Sequence, residues 1–104
     1  MSASTRLEQF ERLAAQQPAN PMFRFSLAQA LIAAGRGSEA VPHLEFCAAS
    51  RADWMVARIL LGKELLHAGR RAEAQPVLAE ALRLAIEQRH EEPEQELRAI
   101  RAAV

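Results

Sequence analysis

Cysteine occurs once in this chain, at Cys47, and tyrosine not at all. A lone thiol excludes an intrachain disulfide and a thiolate cluster, and suits a reducing compartment. Neither sign of charge is in excess, with 13 basic and 13 acidic residues. The net basic balance or basic stripe of a nucleic-acid binder is therefore missing. No apolar run approaches the roughly 20 residues of a membrane-spanning helix. The start, Met1 to Arg6, has no apolar signal-peptide core, so a cytoplasmic chain without membrane attachment is the expectation. No glycine-rich phosphate loop and no nucleophile motif is present, and the three histidines are far apart in sequence. An enzyme is not expected, and no cofactor is implied.

What the chain does have is a repeat. The stretch from Arg24 to Leu44 returns 34 residues later as Arg58 to Leu78. Ten of the 21 positions are identical, among them Leu27/Leu61, Leu31/Leu65, Gly35/Gly69, Arg36/Arg70, Glu39/Glu73, Pro42/Pro76 and Leu44/Leu78. A period of this length belongs to stacked helix-turn-helix units, each too small to bury its own apolar face. No segment alternates in the manner of a strand, so the fold class is all-α.

Leu7, Phe10, Leu13 and Ala14 recur at three and four, which predicts a first helix over about 4–17 with Ser4 as its cap. Asn20 then reads as an N-cap, with Pro21 at the first helical position. A helix over about 21–34 follows, apolar on most of its circumference, with Gly35 and Gly37 ending it. Ser38 is placed as the cap of a helix over about 39–50, with Pro42 in its first turn. Asp53 is placed as the cap of a helix over about 54–68. The next helix starts near Ala72 without a capping side chain and runs towards His90. Pro93 opens a last helix with Leu97, Ile100 and Val104 on one face.

These residues resemble the tetratricopeptide repeat, a unit of two antiparallel helices. Its large, small and bulky positions are held by Leu27, Ala28, Leu31, Ala40, Leu44 and Cys47 in one copy. In the other they are Leu61, Gly62, Leu65, Ala74, Leu78 and Ala81. Close packing explains the small residues, since Ala28 or Gly62 lets the partner helix approach. Arg24 and Arg58 stand where the family often has tryptophan. The resemblance implies a single domain over 1–104, a right-handed superhelical stack of about six helices. Its parts are an N-terminal half-repeat (4–17), repeat 1 (21–54), repeat 2 (55–88) and a C-terminal capping helix (92–104). Small stand-alone bacterial proteins have this look.

The resemblance also implies a role, which is protein–protein interaction in a concave groove lined by the first helix of each repeat. The groove positions fall on Met22, Phe25, Gln29, Ile32 and Ala33, then on Val56, Ile59, Lys63, Leu66 and His67. They are mostly apolar, with Gln29, Lys63 and His67 as polar handles, so a peptide or amphipathic helix is the expected partner. Phe25 and Ile59 replace the lysines that grip a peptide carboxylate in some members. Two alternatives stay open, in which the last helix or a second copy in a homodimer covers the same stripe. His43 and Cys47 are four apart on one helix, but two ligands do not make a metal site. Phe46 and Trp54 read as packing residues, and Glu87, Glu91, Glu92, Glu94 and Glu96 as a solvated junction. Arg51, Arg58, Lys63, Arg70 and Arg71 are the only candidates for a nucleic-acid face, and no such binding is expected.

Overall fold

A computed structural model of the chain describes residues 3–104, all of them helix or the turns between helices. Six helices follow one another: α1 (Ala3–Gln16), α2 (Pro21–Ala33), α3 (Gly37–Ser50), α4 (Met55–His67), α5 (Arg71–Glu87) and α6 (Glu91–Ala103). They form two compact units divided between Ala52 and Asp53. The first holds α1 and the pair α2/α3, the second the pair α4/α5 and α6. No helix among the described residues is long and apolar enough to cross a membrane.

In the first unit Leu7 and Ala14 of α1, Leu27, Ala28 and Leu31 of α2, and Ala40, Val41, Leu44 and Cys47 of α3 are buried. In the second the buried set includes Leu61 and Leu65 of α4, Ala74, Leu78, Ala81 and Leu82 of α5, and Leu97 of α6. Among the positions that match between the repeats, Leu27/Leu61, Leu31/Leu65, Ala40/Ala74 and Leu44/Leu78 thus fill each helix pair. Gly62 shows why one packing position has to be small. A β-carbon there would fall 2.7 Å from Leu78 Cγ and closer still to its Cδ2.

The turns after α2, α4 and α5 are one motif used three times. Gly35 N–H donates to Ile32 and Arg36 N–H to Leu31, so α2 closes with two crossed bonds around a left-handed glycine, φ 77°. Gly69 and Arg70 repeat the pattern on Leu66 and Leu65. After α5 the same bonds run from Arg89 to Ile86 and from His90 to Ala85, with Arg89 holding φ 58° where the other turns have glycine. Arg36, Arg70 and His90 each finish one helix and stand as the N-cap residue of the next.

Four expected helix ends are overturned. Gly37 opens α3 and does not terminate α2, and Ser38 lies inside α3 instead of capping it. Because Arg36 already serves as N-cap residue, the helix starts before the serine is reached. Pro42 consequently sits in the second turn, as does Pro76 in α5, each removing one internal bond. Asp53 is not the cap of α4 either, since Trp54 occupies that position without a side-chain bond. The Asp53 carbonyl is instead taken up by the Met55 N–H and by Gln88 Nε2 at 3.1 Å. α5 stops at Glu87, short of His90. Asn20 behaves as expected, its side chain accepting from Met22 N–H at 3.0 Å ahead of Pro21. The Ser4 cap lies outside the side chains described.

Candidate functional site

The first helix of each repeat, α2 or α4, carries the candidate residues as a row along its length. On α2, Met22 is 48% exposed, Phe25 and Ile32 are half-buried, and Gln29 and Ala33 are exposed. On α4, Val56 is 46% exposed, Ile59, Lys63 and Leu66 are half-buried, and His67 is exposed. Met22 and Val56 stand 34 residues apart, at one register of the repeat. Spacings of three and four keep each row on one side of its helix.

The polar handles are less free than the sequence suggests. Lys63 is paired with Glu96 of α6, so the closing helix supplies the carboxylate at this point of the second unit. Glu96 belongs to the acidic run expected to be solvated, and at the sequence level nothing marks it from its neighbours. His67 Nδ1 lies 3.2 Å from Glu64 Oε2, and Glu64 is the buried charged residue of the core. Gln29, one repeat before Lys63, has no side-chain partner among the described residues.

Gln29 also lines an open cleft of about 370 Å³ between α1 and α2, together with Arg6, Phe10, Ser26, Ala30 and Ala33. Arg6 and Phe10 were legible only as part of a packing helix. The spacing of Phe10 and Leu13 signals that α1 packs, but not that it leaves a hollow beside α2.

On another side of α2, Arg24 does several things at once. Its guanidinium lies 4.3 Å from the centre of the Phe46 ring, its Nε donates to His43 Nδ1 at 2.9 Å, and another nitrogen donates to the Pro18 carbonyl at 3.0 Å. A cation over a ring face is attracted by the ring quadrupole. The arginine thus packs as a flat plate where the repeat pattern favours tryptophan. His43 must be neutral to accept, and burial first, then the Arg24 charge, pull it below its usual 6.5. In the second repeat the residue facing Arg58 at this register is Glu80. The Arg83 hydrogen bond chiefly, and Arg58 in smaller part, hold its carboxyl below the usual range.

His43 and Cys47 do not make a metal edge. His43 is spent on Arg24, the Cys47 thiol donates to the Pro21 carbonyl at 3.4 Å, and no group of three ligating side chains exists among the described residues. Burial pushes the thiol up to about 11, so Cys47 is a packing residue.

Paired antiparallel helices, a left-handed residue in each turn and a shared register from Arg24 to Leu78 define the unit. A family model for the tetratricopeptide repeat matches residues 21–45 and 55–80. The chain belongs to the tetratricopeptide repeat family. Each match covers one helix pair, α2 with most of α3 and α4 with most of α5. No curated protein and no solved structure matches the chain. Tetratricopeptide repeats generally mediate protein–protein interaction and are not catalytic.

Proposed function

We propose that the chain is a non-catalytic interaction module whose apolar rows on α2 and α4 receive a peptide or helix from a partner protein. The matched exposure of Met22 and Val56 carries this reading. One exposed large apolar side chain is ordinary. The same register left open in both repeats, with a half-buried apolar row behind it, favours a recognition surface. Phe25 and Ile32 on α2, and Ile59 and Leu66 on α4, are the proposed anchors. Gln29 and Lys63 orient the bound segment, the latter in competition with Glu96. A buried free thiol at Cys47 fits a cytoplasmic setting.

The test is capture from a lysate of the source organism by the wild type and by a Met22→Glu/Val56→Glu variant. Both positions are about half exposed, so the charges leave the helices intact, which circular dichroism checks. A protein held by the wild type and lost with the variant supports the assignment. Equal capture by both overturns it. A wild type that sediments as a dimer, and a variant that sediments as a monomer, would replace it with self-association.

A further inference from the structure

α1 is built to the same measure as α3 and α5. The three begin at Ala3, Gly37 and Arg71, each 34 residues after the last, and α1 and α3 are both 14 residues long. In α3 and α5 one face is closed by the first helix of the pair. Leu44 and Cys47 are wholly buried on α3, and Leu78 and Ala81 on α5. At the matching register α1 carries Phe10 and Leu13, which are only half-buried. α1 packs against α2, which follows it, and no helix precedes it among the described residues. The face that a first helix covers in both repeats is thus open on α1.

What covers this face in the repeats also says what fits it. α2 and α4 bring up a leucine, a small residue and a second leucine, Leu27, Ala28 and Leu31 or Leu61, Gly62 and Leu65. The small residue is set against the central leucine of the second helix, as Gly62 is against Leu78. Phe10 holds the register of Leu78 and calls for the same small residue. One position departs from the repeats. Arg6 stands where α3 and α5 have the buried Ala40 and Ala74. It is exposed, and no described residue bonds its side chain. In an antiparallel pair, one turn back from Phe10 on α1 faces one turn on from the small residue of the occupant. A carboxylate four residues after the small one therefore meets the Arg6 guanidinium. We infer that α1 docks a helix of a partner protein that reads Leu-small-x-x-Leu-acidic. The rows on α2 and α4 use no residue of α1, so this surface is additional to them.

The probe is the acetylated and amidated peptide of residues 54–69 carrying Leu66→Glu. A free peptide of this length is a marginal helix. A lactam joining Ile59→Glu to Lys63, on the side away from Leu61 and Leu65, holds it helical, which circular dichroism checks. Titrated into the full-length, nitrogen-15-labelled chain, it should give saturable shifts centred on Phe10 and Leu13, with a dissociation constant on the order of 100 μM. The peptide with Leu66→Lys should bind about fivefold more weakly, and the Arg6→Glu chain should reverse that preference. Gly62→Leu in the peptide should remove binding, because the added bulk meets Phe10. The Met22→Glu/Val56→Glu chain should bind the peptide as the wild type does. No saturable shift up to about 1 mM, shifts centred on Phe25 and Ile32, or equal binding of the Glu and Lys peptides overturns the inference. So does a chain that sediments as a dimer without peptide and whose Phe10 and Leu13 signals move on dilution, which makes the occupant a second copy.

Discussion

Gly62 and Leu78 meet so closely that no β-carbon fits between them. The obstructing atoms include Leu78 Cγ, and Leu78 is fully buried, so the side chain cannot swing aside without disturbing its neighbours. Overpacking of this kind costs about 1–3 kcal/mol. The better helix propensity of alanine returns about 1 kcal/mol. Gly62→Ala should therefore destabilise the chain by roughly 1 kcal/mol and lower its melting temperature by about 4–8 °C. A thermal melt followed by circular dichroism checks it, and an unchanged or raised midpoint would contradict the packing argument.

Arg89 holds the left-handed conformation that Gly35 and Gly69 hold in the sister turns. A side chain in that region costs about 1–2 kcal/mol. Part of the gain from removing it is lost to the greater freedom of glycine in the unfolded chain. Arg89→Gly should raise stability by about 0.5–1 kcal/mol. Gly35→Ala should lower it, although nothing lies within 4 Å of the added carbon. Urea midpoints of the two variants should move in opposite directions.

His43 gives the chain a pH dependence in a mild range. Its folded pKa lies below 6.5, so the folded chain binds fewer protons there than the unfolded one. The contribution of neutral His43 is complete above 6.5 and is lost as pH falls through the folded value. The salt-bridged carboxyls of Glu39 and Glu73, each lowered by an arginine hydrogen bond from 4.5, act in the same direction at lower pH. Urea midpoints measured from about pH 8 down to about pH 5 should decline, and His43→Gln should flatten that decline. A wild-type profile already flat across this range would contradict the Arg24–His43 geometry.

Cys47 is wholly buried and its thiol is pushed up to about 11. It should resist an aromatic disulfide reagent in the native chain and react once per chain in denaturant. Its labelling rate should then follow the opening of the first unit. Rapid native labelling would mean that α3 does not bury it.

The helices and their pairing were readable because identical residues at one period must meet identical surroundings, as Leu27, Gly35 and Leu44 do with Leu61, Gly69 and Leu78. Asn20 was readable because an Asx residue before proline has few other uses. Ser38 and Asp53 misled for a physical reason. Capping propensity describes a helix that starts from an extended chain, whereas α3 starts from the last bond of α2, at Arg36. The same sequence logic puts the apolar residues from Met22 to Ile32 on one side of a helix but does not single out Glu96, which pairs with Lys63. That pairing depends on how neighbouring helices lie, and the spacing of residues along one helix carries no record of it.

Arg36 and Arg70 belong to two helices at once, and each clamps the first turn of the second through a paired contact to Glu39 or Glu73. Between the helices of a pair there is thus no slack for fraying to be absorbed. If the last turn of α2 loosens, the opening turn of α3 loses its anchor in the same event. Slow amide exchange should therefore rise and fall together across each hairpin, which makes the pair, and not the single helix, the smallest cooperative element of the chain.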